Sequence, residues 1–293
     1  MKRWLVIGGA GMLGRELTGL LDATGAGVIS LGHAELDVTD AGAVDTVVHE
    51  QRPAVVVNCA GWTAVDAAEA HEPEALRVNG AGAANVARAC ARTAVPLVQI
   101  STDYVFDGRA TQPYSEQAAP HPRTAYGRTK LAGERAVREL LPERGYVVRT
   151  AWLYGEHGPN FVRTMIELAA RQPSVDVVVD QVGQPTWTRD LAGQLIALID
   201  SGTPAGVYHG TNAGRTSWYG LARQTFALLG ADPDRVRPTA SAAFPRPAER
   251  PAFSVLGHDG WAAVGLPAMR DWREALAEAF PALLAAAQRS PAS

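Results

Sequence analysis

The sequence predicts an α/β protein built on a doubly wound parallel sheet, with a smaller lobe formed by the later part of the chain. Three observations predict it. Short apolar runs rich in β-branched residues alternate with amphipathic helical patterns through the first half. A glycine-rich turn separates the first run from the first helical pattern. Beyond about residue 150 the rhythm loosens. Strands of this composition alternating with helices imply a parallel sheet covered on both faces.

The elements follow in order. Trp4-Leu5-Val6-Ile7 reads as the first strand, and Leu13, Leu17, Leu20 and Leu21 then keep helical spacing. Val28-Ile29-Ser30-Leu31 and Val55-Val56-Val57-Asn58-Cys59 read as the second and third strands. Residues 83–94 put Ala83, Val86, Ala87, Cys90, Ala91 and Ala94 on one helical face. Leu97-Val98-Gln99-Ile100 is a fourth strand, a helix is expected from Ala125 to Leu141 before Pro142, and Tyr146–Thr150 is a fifth strand. Later helices are expected over 160–171, 189–200, 217–229 and 270–287, with a strand at Val175–Val179. Pro238–Pro251 reads as a connecting loop and Gln288–Ser293 as a frayed tail. Residues 1–150 are thus expected to form one domain and residues 151–293 mainly the lobe. A late strand at Gly206–His209 would rejoin the first sheet.

Composition narrows the class. The chain has 293 residues, a formal net charge of -3 and 47% hydrophobic residues. That is ordinary for a globular protein, and no apolar run approaches the roughly 20 residues that cross a bilayer. No basic cluster suggests nucleic acid. The opening residues lack the marks of a secretory signal, so a cytoplasmic location is expected. Cys59 and Cys90 make no metal-ligand spacing and no redox pair, so two reduced thiols and no metal site are expected. Only two lysines occur, Lys2 and Lys130.

Gly8, Gly11 and Gly14 stand between the first strand and the first helix. The first permits a tight turn, the second a close approach of pyrophosphate to the backbone, the third close helix–strand packing. This is a dinucleotide-binding turn of the Rossmann type, in the context that such a motif requires. The second strand ends in Gly32-His33, with no acid for a ribose 2′-hydroxyl. Arg15 and His33 suit a 2′-phosphate instead, so NADPH is the expected cofactor and NADH the alternative.

Tyr126 and Lys130 stand at i and i+4 on a predicted helix, hence on one face. A free phenol has a pKa of about 10, too high for efficient proton transfer, and a neighbouring ammonium is expected to lower it. Ser101-Thr102 ends the fourth strand, at the sheet edge where such folds bind ligands. A hydroxyl there can bind a carbonyl oxygen that Tyr126 protonates.

Taken together the chain resembles the extended short-chain dehydrogenase/reductases, and among them the dTDP-4-dehydrorhamnose reductase family. The resemblance rests on Gly8–Gly14, Glu35–Asp40, Asn58–Asp66, Val78-Asn79, Ser101–Gly108, Tyr126–Lys130, Arg149–Gly155, Asp180–Thr186 and Arg250–Leu256, in that order. It implies a Rossmann-type doubly wound parallel sheet with a smaller C-terminal substrate-binding lobe. It implies Thr102, Tyr126 and Lys130 as catalytic residues. Gly8, Gly11, Met12, Leu13, Asp37, Val38, Cys59, Ala60 and Gly61 would bind the cofactor, with Tyr126 and Lys130. Thr63, Val65, Asp103, Tyr104, Trp152, Trp218 and Arg250 would line the sugar-nucleotide site, Arg250 at the diphosphate. Cys59, Gly61 and Trp62 depart from the alanines and tyrosine usual in the family. The implied activity is reduction of the C4 keto group of a dTDP-4-dehydro-6-deoxyhexose, with dTDP-4-dehydrorhamnose the expected substrate and a homodimer as the assembly to test.

Other readings are weaker. Related dehydratases carry Asp-Glu after the strand-end Thr, whereas Thr102 is followed by Asp103-Tyr104. A regulatory subunit on this fold need not keep Thr102, Tyr126 and Lys130. A 4-ketoreductase for another dTDP-deoxysugar is not separated by these motifs.

Overall fold

The structure is a computed structural model and describes residues 2–289. The first half runs β1 (Arg3–Ile7), α1 (Met12–Ala23), β2 (Gly27–Leu31), α2 (Ala41–Gln51), β3 (Val55–Asn58), α3 (Val65–Ala70), α4 (Glu72–Leu76), α5 (Ala83–Thr93), β4 (Leu97–Thr102), α6 (Ala125–Leu140) and β5 (Gly145–Thr150). A π-helical stretch, Arg77–Gly82, joins α4 to α5. The later part runs β6 (Leu153–Tyr154), α7 (Phe161–Arg171), β7 (Val175–Val178), β8 (Val182–Gly183), β9 (Thr186–Trp187), α8 (Thr188–Asp200), β10 (Gly206–His209), β11 (Thr216–Ser217), α9 (Trp218–Leu228), β12 (Val236–Thr239), α10 (Asp259–Ala263) and α11 (Trp272–Arg289).

Six strands form one all-parallel sheet in the order β2-β1-β3-β4-β5-β10. The order reverses between β1 and β3, which opens a crevice at their carboxyl ends. Strand side chains alternate between faces. Trp4 and Val6 therefore enter one core, with Leu13, Leu17 and Leu21 of α1 and Leu191, Leu195 and Leu198 of α8. Leu5 and Ile7 enter the other, with Val44 and Val48 of α2 and Val86 and Cys90 of α5. Every residue of β3, β4 and β5 is buried, as strands covered on both faces must be. Each such Leu or Val contributes about 1.5–3 kcal/mol by burial. A further core gathers α7, α9 and α11 around Trp272, Phe280 and Leu283, and another packs Phe226 against the β7–β12 ribbon.

Three details differ from expectation or extend it. Ala91 and Ala94 are exposed, while Ala84 and Ala89 are buried. The reason is that α5 lies between α2 and α6 and so buries two flanks. Pro238 does not begin a loop but pairs with Val177 in β12, and the connection starts at Ala240. A two-stranded ribbon tolerates Pro because its missing N–H can face away from the partner. Gly206–His209 does lie in the main sheet, beside β5. With α8 and Trp261 of α10 it brings later segments back onto the first core. Gln288 and Arg289 end α11, and the rest of the expected tail lies outside the described residues. Among the described residues no helix is long and apolar enough to cross a membrane.

Candidate active site

The site forms at the carboxyl edge of the sheet, from the turn after β1, the end of β4 and the start of α6. Gly8 follows β1 at φ 79°, in the left-handed region, and a Cβ there would stand 2.5 Å from Ala60 N. Only glycine meets both demands. Gly11 N closes the turn by donating to Gly8 O at 3.0 Å. Gly11 then begins α1 without a side-chain cap, and Gly11, Met12 and Leu13 face the cleft. Uncapped amides at a helix start carry partial positive charge and suit phosphate oxygens. The turn therefore fits a dinucleotide pyrophosphate.

Thr102 closes β4. Its hydroxyl donates to Asp103 Oδ1 at 2.9 Å and accepts from Tyr104 N at 3.2 Å. Helix α6 starts where Thr124 Oγ1 accepts from Gly127 N at 3.1 Å, a side-chain N-cap. A Cβ on Gly127 would stand 2.1 Å from Tyr104 O, so only glycine lets the first turn of α6 lie on the turn after Thr102. That contact delivers Tyr126 to the cleft. One turn on, Lys130 Nζ donates to Ile100 O at 2.6 Å. One turn further, Glu134 accepts from Ser101 Oγ at 2.5 Å and from Arg149 Nε and Nη2 at 2.9 and 2.7 Å. This ion pair is buried and ties α6 to β4 and β5.

Burial dominates the electrostatics. It pushes the Tyr126 phenol up to about 12; the Thr102 hydroxyl works against the rise and the Asp103 carboxylate adds to it. It pulls Lys130 down to about 8, against the pull of Glu134. It pushes Asp103 up to about 6 and the Cys59 thiol up to about 12. At neutral pH the site thus holds a neutral phenol beside a charged ammonium. The expected lowering of the phenol by Lys130 is corrected here. Helical spacing puts the two on one face, but the long lysine chain reaches the Ile100 carbonyl, and desolvation of Tyr126 outweighs any distant charge.

One cleft of about 480 Å³ gathers most of the sequence-predicted residues. Gly8, Gly11, Met12, Leu13, Cys59, Gly61, Thr63, Val65, Thr102, Asp103, Tyr104, Tyr126, Lys130 and Trp152 all line it. Five others do not. Asp37 is exposed, and its carboxylate accepts from Thr39 N and Oγ1, both at 2.9 Å; those bonds help hold it below the usual carboxylate range. Val38 is a core residue against α2 and α5. Ala60 lies under Gly8 and donates to Asn58 Oδ1 at 3.1 Å. Trp218 stacks on Trp152 with centroids 3.6 Å apart and planes 10° apart, behind the cleft wall. The Arg250 guanidinium is held by Asp66 of α3 at 2.9 and 2.7 Å.

Sequence reasoning missed Ile100, Thr150, Ala151 and Leu153, which also line the cleft, as does Ser101, noted beside Thr102 at the strand end. Thr150 Oγ1 is buried there with no hydrogen-bond partner. The signal was available: Thr150 ends the fifth strand at the same sheet edge as Thr102, and the two are register partners. Cys59 and Cys90 are both free thiols. Among the described residues no group of three or more His, Cys, Asp or Glu side chains is placed to hold a metal ion.

The profile of the RmlD substrate binding domain matches residues 1–284. The chain belongs to the dTDP-4-dehydrorhamnose reductase family. It is 58% identical to a dTDP-4-dehydrorhamnose reductase of Streptomyces griseus, over 98% of this chain and 96% of that one. It is 53% identical to a dTDP-4-keto-6-deoxy-D-glucose reductase of Streptomyces niveus, over 96% and 97% of the two chains. Its fold matches a Bacillus anthracis dTDP-4-dehydrorhamnose reductase, solved in complex with NADP, with a TM-score of 0.92 at 37% identity. That match covers 96% of this chain and 99% of the other. The resemblance read from the motifs and the Rossmann-type fold both hold.

Proposed function

We propose that this protein reduces the C4 keto group of a dTDP-4-dehydro-6-deoxyhexose, converting dTDP-4-dehydrorhamnose to dTDP-L-rhamnose with NADPH. The observation that carries the reading is the single cleft that joins the uncapped start of α1 to Thr102, Tyr126 and Lys130. The NADP held by the Bacillus anthracis relative supports the cofactor.

A bound nicotinamide supplies hydride to C4 of the sugar. The protein's own groups do the rest. The Gly8–Leu13 turn seats the pyrophosphate, and Lys130 offers its ammonium to a ribose hydroxyl. Tyr126, a neutral phenol at neutral pH, gives its proton to the C4 oxygen, where the developing alkoxide is a stronger base than the phenolate. Thr102 donates to the reacting oxygen. Thr63, Val65, Asp103, Tyr104 and Trp152 shape the sugar side of the cleft. Cys59 and Gly61 line the cofactor side.

NADPH oxidation at 340 nm with dTDP-4-keto-6-deoxysugars of both C5 configurations tests the reading, with NMR identification of the product. Absence of turnover with either sugar sinks it. A second reading, reduction of another dTDP-deoxysugar, draws on the name of the Streptomyces niveus relative; turnover of the gluco-configured ketone alone favours it. We further propose a homodimer, which sedimentation of the purified protein checks, and a cytoplasmic location, which cell fractionation checks.

A further inference from the structure

Thr102 faces competing uses for one proton. A hydroxyl carries a single donor proton. In the reduction proposed above, that proton binds the reacting oxygen. In the structure it is directed at Asp103 Oδ1, 2.9 Å away, while the oxygen accepts from Tyr104 N. Thr102 and Asp103 are only 5% and 3% exposed. Asp103 lines the cleft, and its Oδ2 is buried with the Ser254 hydroxyl nearby but outside hydrogen-bond geometry, so neither Oδ2 nor Ser254 Oγ has a partner. An unpartnered anionic oxygen costs far more than the unpartnered carbonyl oxygen of a neutral acid. Burial accordingly pushes the Asp103 carboxyl up to about 6, with the hydroxyls of Ser254 and Thr102 working against the rise.

Resting on the proposed reduction, we propose that Asp103 is the positioning residue for Thr102. In its neutral form the carboxyl donates through Oδ1 to the Thr102 oxygen, which leaves the Thr102 proton for the C4 oxygen. In its ionised form the carboxylate draws that proton out of the site. The titratable groups around Asp103 are Tyr104 on its own turn and Tyr126 from α6. Lys130 of α6 lines the same cleft but directs its ammonium to Ile100 O. The Arg250–Asp66 pair stands beyond Tyr104, with its two charges matched. Ser254, from the connection after β12, brings a hydroxyl and no charge.

The test is kcat from pH 5 to 9, at saturating NADPH and dTDP-4-keto-6-deoxysugar, for wild type, Asp103→Asn and Ser254→Ala. An asparagine amide can donate to Thr102 at every pH. Between the Asp103 ionisation and pH 8, wild-type kcat is expected to fall about tenfold per pH unit. Asp103→Asn is expected to be flat over that range and to exceed wild type at pH 8. Ser254→Ala removes a group that lowers the ionisation, so its decline begins at higher pH. The proposal is overturned by a wild-type decline that persists in Asp103→Asn, or by loss of kcat of about tenfold or more in that variant at every pH. Should Asp103→Asn melt as an unfolded protein, an unshifted Ser254→Ala profile overturns it. The 13C carboxyl resonance of Asp103 in the free wild-type protein gives a readout independent of substrate. Titration near the ordinary value of about 4 rejects the proposal. Titration near 6 without sugar turnover leaves the positioning geometry standing and rejects the proposed reduction instead.

Discussion

At the scale of single residues, burial decides what each group can do. Lys2 and Lys130 are the only lysines. Lys2 forms an exposed ion pair with Asp200, whereas Lys130 is 7% exposed and bonded to a strand carbonyl. The rarity of lysine drew attention to Lys130, which lines the cleft. Tyr126→Phe is expected to reduce kcat by about 10²- to 10⁴-fold, the usual worth of a general acid. Its NADPH affinity, read by fluorescence titration, should stay within a factor of a few. The lowered Lys130 has a second consequence. Its folded value near 8 lies below the ordinary 10.5, so its charge is lost as pH rises through about 8. NADPH affinity of the free enzyme should weaken over that interval, and Lys130→Met should remove that dependence along with much of the binding. The sign for stability is opposite. Between about 8 and the ordinary lysine range the unfolded chain binds the extra proton, so this group's contribution to stability rises with pH.

At the scale of elements, α6 is the part that assembles the chemistry. Its cap, its contact with the Tyr104 turn and the Glu134–Arg149 pair place Tyr126 and Lys130 relative to β4. Glu134→Ala leaves the Arg149 charge buried and unpaired, and urea unfolding should show a loss of about 3–5 kcal/mol. The Trp152–Trp218 stack is a second element-scale device. Trp152 holds a left-handed φ of 46° at the cleft wall, a conformation that costs energy in a bulky residue and needs support from its surroundings. Trp218 gives that support and is itself held by a bond from its Nε1 to Gln181 Oε1 at 3.1 Å. Trp218→Ala is expected to lower kcat/KM for the sugar nucleotide by about tenfold to a hundredfold through misplacement of Trp152. Unchanged kcat/KM would show that the stack only packs the lobe.

At the scale of the whole molecule, the two parts of the chain are interleaved. The strand that borders β5 and the helix that packs on α1 both come after residue 150. A fragment of residues 1–150 therefore leaves one face of its sheet with α1 but without α8, and exposes the edge of β5. Its thermal melt should lack a cooperative transition, and a sharp one would show that α8 and β10 are dispensable.

The sequence by itself determined the alternating strands and helices, the glycine turn and the spacing of Tyr126 and Lys130. Those are short-range properties, set by side-chain period, by the missing Cβ of glycine and by helical geometry. The motif order was also enough to reach the family. Only the tertiary structure decided which flank of α5 is buried, that Arg250 pairs with Asp66, and that Trp218 stands behind Trp152. It also decided that Thr150 joins the cleft and that Lys130 turns to Ile100 O. Each depends on groups far apart in the chain. The Asp66–Arg250 pair, for example, spans 184 positions and exists only because α3 and the connection after β12 meet in space. Pattern reports which face a residue occupies, and long-range packing selects its partner and sets how strongly burial shifts its charge.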